Sequence, residues 1–211
     1  MIRILCYGDS NTWGYIPGSN HLRYDESIRW TKLLQHNLGN KFEVIEEGLN
    51  SRLLFSEDKR TGKAGRNGFK YFKPCLETHD KVDFIILMLG TNDLKHHLNY
   101  SAEQIVKKLV KYYCYIQSYR SIIDNSTPHL IALGLPNINE STDYCREDFK
   151  YVGASLKAIA VNNLLANYCK VKSITFIDNS DLATGPDGVH LTAESHKNLS
   201  IKIYRLLIHL K

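Results

Sequence analysis

Proline is scarce in this chain, five in 211 residues, and nowhere joins glycine and serine in a linker. No interdomain hinge is marked, and one domain over residues 1–211 is the simplest organisation. Long apolar runs are missing too. The longest, such as Phe84 to Leu89, fall far short of the roughly 20 residues a membrane-spanning helix needs. Neither charge sign dominates: 27 Lys and Arg stand against 22 Asp and Glu, a net charge of +5 that permits an anionic partner without demanding one. The basic stretch Lys107, Lys108 and Lys111 falls on the polar face of a predicted helix, so nucleic acid is not an expected partner. The five cysteines form no CxxC pair and no metal-ligand cluster with histidine. They read as reduced, mostly buried thiols of a cytoplasmic protein, with no metal implied. The start, Met-Ile-Arg-Ile-Leu-Cys-Tyr, has strand character from its second residue, which leaves no room for a signal peptide.

Short runs rich in β-branched residues occur at Ile2 to Tyr7, Phe42 to Ile45, Val82 to Leu89, Leu130 to Leu135 and Ile174 to Ile177. Several lack polar alternation, as parallel strands covered on both faces do. Helical spacing fills the intervals. Ser101 with Gln104 makes a capping-box pattern ahead of Ile105, Leu109, Tyr112, Tyr113 and Ile116 on one face. Val152, Leu156, Ile159 and Asn163 with Leu164 repeat that spacing, and so do Leu199, Ile203, Leu206, Leu207 and Leu210 after a Thr192 N-cap. A shorter helix is predicted over Ser27 to Leu38, closed by Gly39, and another after Asn67. Five βα units predict an α/β fold: a five-stranded parallel sheet with helices on both faces, whose ligands bind at the carboxyl ends of the strands.

Four small polar clusters sit at those strand ends or just ahead of the last helix: Gly8-Asp9-Ser10-Asn11, Glu47-Gly48-Leu49-Asn50-Ser51-Arg52, Gly90-Thr91-Asn92-Asp93 and Asp187-Gly188-Val189-His190. Any one of them is ordinary turn chemistry. Brought to one edge, they hold the parts of an acyl-transfer site. Ser10 offers a hydroxyl, His190 an imidazole to take its proton, and Asp187 a carboxylate to fix the imidazole tautomer. The main-chain N–H groups of Ser10 and Gly48 and the Asn92 amide are candidate donors to an oxyanion.

These residues resemble the four sequence blocks of the SGNH (GDSL-type) hydrolases, in their usual order and across nearly the whole chain. Ile4 to Gly14, Arg29-Trp30-Thr31, Phe42 to Leu49 with Arg52, and Met88 to Asp93 are similar to the bacterial arylesterase/acyltransferase branch. The resemblance implies a three-layer α/β/α, flavodoxin-like fold. It implies a Ser10 nucleophile, an oxyanion hole of Ser10, Gly48 and Asn92, and a His190 base oriented by Asp187. It further implies esterase activity on short-chain acyl esters, acyl transfer to alcohols in some relatives, no cofactor, and frequent homo-oligomers. The segment Pro136 to Glu147 looks shorter and more polar than the apolar loop of the acyltransferase relatives, and its role stays open.

Asp9, Asn11, Trp13 and Arg52 are candidates for the substrate pocket. Each has a structural alternative: Asp9 securing the turn around Ser10, Trp13 in the core, Arg52 paired with Glu46 or Glu47. Asp187 is preferred over Asp178 and Asp181 because a local Asp-x-x-His loop places the acid without a long excursion. His96 and His97 read as solvated, and the remaining histidines as surface or structural. The expected activity is therefore a serine esterase acting on a small acyl ester. A carbohydrate O-acetyl esterase is the runner-up, and a non-catalytic binding module of the same fold the reading from another class.

Overall fold

The computed structural model describes residues 1–148 and 152–209. Strands β1 (Ile2–Gly8), β2 (Phe42–Gly48), β3 (Phe84–Met88), β4 (His129–Leu133) and β5 (Thr175–Ile177) form one parallel sheet in the order β2-β1-β3-β4-β5. The chain first steps from β1 to β2 on one side and then returns across β1 to β3. That reversal opens a crevice at the carboxyl ends of β1 and β3, where α/β sheets of this order bind ligands.

The strands alternate between two apolar layers. Leu5 and Tyr7 of β1, Ile85 and Leu87 of β3, and Leu130 and Ala132 of β4 face the core shared with α3 (Gly68–Thr78), α4 (Ala102–Ser118) and α5 (Ala154–Val171). Ile4, Cys6, Ile86, Met88, Ile131 and Leu133 face the opposite core, covered by α2 (Trp30–Leu38) and α6 (Ala193–His209). Both faces being buried is why these strands lack polar alternation in sequence. The capping box at α4 forms as the pattern predicts: Gln104 N donates to Ser101 Oγ at 3.3 Å and Ser101 N to Gln104 Oε1 at 2.9 Å. Asn67 caps α3, and Thr192 accepts from Ser195 N ahead of α6.

Two helix readings need correction. The helix predicted from Ser27 begins at Trp30, because residues 25–29 form a turn in which Ile28 N and Arg29 N both donate to Asp25 O. On α5 most of the predicted apolar face points outward: Leu156 is 76% exposed, and Val152, just before the helix, 54%, while Leu164 alone packs against the core. The inward face is Ala154, Ala158, Val161, Asn162, Leu165 and Cys169, whose two alanines let α5 lie close against its neighbours. Of the final helix, Leu199, Ile203 and Leu207 are buried as predicted, and Leu210 lies outside the described residues.

Candidate active site

Strand β1 ends at Gly8, and Asp9 turns the chain into the one-turn helix α1 (Ser10–Trp13), where the Asp9 carboxylate accepts from Asn11 N at 3.0 Å. This turn lifts Ser10 to the sheet edge. The last strand-to-helix connection brings His190 to meet it, with His190 Nε2 3.0 Å from Ser10 Oγ. His190 Nδ1 lies 2.7 Å from Asp187 Oδ2. The other carboxylate oxygen of Asp187 accepts from the main-chain N–H groups of Val189 and His190, both at 2.9 Å, and Gly18 N donates to Oδ2 at 3.0 Å. Burial pushes the Asp187 carboxyl up, but the hydrogen bond and charge of His190 and these N–H donors outweigh it and hold the group below the usual carboxylate range. Asp187 therefore stays ionised against the imidazole.

Gly48 stands at the end of edge strand β2, in register with Gly8. A Cβ there would lie 2.2 Å from Trp13 N and 2.6 Å from Thr12 C, so only glycine lets β2 press against the helix carrying Ser10. Asn92 follows β3 on a short 3₁₀ turn, Thr91–Leu94. It is buried and its Nδ2 has no hydrogen-bond partner, a costly state for an amide unless a ligand completes it. The next residue, Asp93, holds this loop to the one after β2 by accepting from Leu54 N at 2.9 Å. Burial is the main cause raising the Asp93 carboxyl to about 7, and the nearby Asp9 carboxyl adds to it, while the Leu54 N–H and Lys108 oppose.

The four substrate-pocket candidates have different fates. Asn11 is 1% exposed, and its amide is spent on main chain: Nδ2 donates to Val189 O at 3.3 Å and Oδ1 accepts from Leu191 N at 2.9 Å. It braces the His190 loop from both sides. Asp9, fully buried, caps α1. Arg52 is 2% exposed, and its Nη1 donates to Gly8 O at 2.8 Å and to the Glu47 main-chain carbonyl, with the guanidinium 4.1 Å above the Tyr7 ring. The ion pair expected of it belongs instead to Arg29, whose Nε and Nη2 each lie 3.0 Å from the Glu46 carboxylate. Trp13 is half-buried between the Arg23 guanidinium and Tyr15.

Tyr15, absent from the sequence candidates, stacks on the His190 ring at 4.2 Å between centroids. Nothing in its local sequence marks it, because the loop that carries it meets His190 only in the fold. The segment Pro136 to Glu147 also acquires a place: Asn139 N donates to Gly188 O at 2.8 Å and Thr142 Oγ1 to Asp187 O at 3.2 Å, so part of it backs the acid-bearing loop. Asp178 and Asp181 turn elsewhere, to Ser180 and to Lys202. His96 and His97 are exposed. A cavity of about 670 Å³ opens between the loops after β2 and β3, lined in part by Ser56, Asp58, Arg60, Lys95 and Tyr100; Ser10 and His190 are outside its lining.

A parallel sheet of order 2-1-3-4-5 carrying a buried serine–histidine–aspartate chain at its switch point defines a serine hydrolase of three-layer α/β/α architecture. The GDSL-like Lipase/Acylhydrolase family model matches residues 4–203, and the chain belongs to that family. The native M. smegmatis aryl esterase is similar to it throughout, with a TM-score of 0.91, 27% identity and full coverage of both chains. So is Est24, a carbohydrate acetylesterase from Sinorhizobium meliloti, at 0.91 and 27%, again over the whole of both chains. A putative arylesterase from Agrobacterium tumefaciens str. C58 follows at 0.87 and 26%, also with both chains fully covered. A search of curated protein sequences returned no match.

Proposed function

We propose that Ser10 is the nucleophile through which this esterase cleaves short-chain acyl esters. The observation that carries this reading is the unbroken chain Ser10 Oγ, His190 Nε2, His190 Nδ1, Asp187 Oδ2, with links of 3.0 and 2.7 Å. His190 takes the hydroxyl proton as Ser10 Oγ bonds to the ester carbonyl carbon. The resulting imidazolium is stabilised by ionised Asp187, and Tyr15 and Asn11 keep the ring in line. Ser10 N–H, Gly48 N–H and the unpartnered Asn92 amide receive the oxyanion. Collapse of the tetrahedral adduct breaks the ester C–O bond, and His190 returns its proton to the departing alcohol. Water, activated by His190 in the same way, then releases the acyl group from Ser10. An alcohol that replaces water in that second step makes the reaction an acyl transfer.

A carbohydrate O-acetyl ester is the second substrate class, supported by the likeness over the whole chain to a carbohydrate acetylesterase. Two findings fit a soluble protein of a reducing compartment, and we place it in the cytoplasm: all five cysteines are unpaired, and no helix among the described residues is long and apolar enough to cross a membrane. Steady-state turnover of short-chain aryl esters and of acetylated sugars, in wild type and Ser10→Ala, tests the proposal. Hydrolysis of either class that vanishes in the variant supports it, and the ratio of the two kcat/KM values chooses between substrates. Undiminished turnover by Ser10→Ala refutes it.

A further inference from the structure

Helix α3 presents a stripe of Tyr71, Cys75 and His79 at successive four-residue steps, His79 being the residue that ends the helix. The stripe faces Glu47, the last residue but one of edge strand β2. One ligand atom each from Glu47, Cys75 and His79 lies within 4.8 Å of the other two, with His79 Nε2 3.0 Å from Glu47 Oε1. Tyr71 Oη is 3.4 Å from the same carboxylate oxygen. Zinc bonds of about 2.0–2.3 Å in tetrahedral array set donor atoms about 3.4–3.6 Å apart, so the three donors need shift by only about 1 Å to close on an ion. Their main chain is already held from outside the cluster: Arg3 Nη1 donates to His79 O at 2.7 Å, and Arg52 donates to Glu47 O.

We propose that Glu47, Cys75 and His79 form a binding site for a borderline-soft divalent cation of the Zn²⁺ class, separate from the Ser10 site. The donor set argues for the class: one sulfur, one imidazole nitrogen and one carboxylate suit Zn²⁺ and Co²⁺, whereas Mg²⁺ and Ca²⁺ take all-oxygen shells. Three protein ligands leave one position for water, with the Tyr71 hydroxyl beside it. The proton balance is defined. Binding expels the Cys75 thiol proton to solvent and moves the proton shared between His79 Nε2 and Glu47 to His79 Nδ1, so the two anionic ligands cancel the charge of the ion. Because the cysteine must bind as its thiolate, affinity rises with pH.

Co²⁺ titration of the reduced full-length protein under argon reads the site optically and independently of esterase activity. The expected result is a thiolate-to-cobalt charge-transfer band that saturates at one ion per chain and is bleached by Zn²⁺. The band is lost in Cys75→Ser and kept in Cys114→Ser, which removes the exposed thiol. His79→Ala, at a half-buried position, weakens binding about tenfold or more. Absence of the band in wild type at millimolar Co²⁺, its persistence in Cys75→Ser, or undiminished affinity in His79→Ala overturns the proposal. If Cys75→Ser does not fold, the His79→Ala affinity decides.

Discussion

Asn11 grips the main chain on both sides of His190, donating to Val189 O and accepting from Leu191 N. The residue after the nucleophile thus sets the height of the imidazole over it, and Ser10 and His190 are tied together by more than their own hydrogen bond. Truncation to Asn11→Ala leaves a buried carbonyl and a buried N–H unpaired, at a cost of about 1–3 kcal/mol each. In the folded variant, kcat should fall about 10- to 100-fold with KM little changed, since alignment is lost and substrate contact is not. A pure rise in KM would instead place Asn11 in the substrate pocket.

Gly188 separates the acid from the base. It has φ +74°, and a Cβ there would lie 2.1 Å from Asn139 O. Gly188→Ala should therefore lose about 1–3 kcal/mol of stability and displace Asp187 from His190. Thermal unfolding and ester turnover should fall together, and an unchanged Tm would contradict the packing described.

The buried Asn92 amide has a role only if a developing charge completes it. Asn92→Ala should lower kcat about 100- to 1000-fold, equivalent to about 2.7–4 kcal/mol at the transition state. Because the side chain leaves an unpaired donor in the free protein, stability should hold or rise in the same variant. Calorimetric Tm and kcat measured side by side check this opposition.

His196 supplies a pH signature independent of catalysis. It is fully buried, its Nδ1 accepts from Trp30 N, and burial, then the charges of Arg29 and His190, push it down to about 4 from an ordinary 6.5. A folded value below the unfolded one means the unfolded chain takes up the proton first. Stability is therefore whole above about 6.5 and is lost as pH falls toward 4. Between pH 7 and 5 this residue should account for about 2 kcal/mol of lost unfolding free energy. Urea denaturation of His196→Asn, which keeps an acceptor for Trp30 N, should show correspondingly less pH dependence.

The sheet is legible in the sequence because strands covered on both faces must be apolar at every step, as in Phe84 to Leu89. The face of α5 is not, because its inward side is built from Ala154 and Ala158, which carry little hydropathy signal, while Leu156 stands in solvent. At the site, Ser10, Asp187 and His190 could be paired by chemistry and local spacing. The main-chain bonds of Asn11 were not legible, because an amide beside a nucleophile looks the same in sequence whether it faces substrate or main chain. Tyr15 meets His190 from 175 residues away, and Glu47 meets Cys75 and His79 from 28 and 32 away, so both groupings are products of folding, although Cys75 and His79 by themselves share a four-residue helical step.

Whether Ser10 carries the acyl group can be read with a serine-directed phosphonate. After incubation and proteolysis, mass spectrometry should find one adduct per chain, on the peptide containing Ser10. Labelling should be slowed strongly in His190→Ala and blocked by prior incubation with a short-chain ester. An adduct on another residue, or an active enzyme left unlabelled, would rule out Ser10 as the nucleophile.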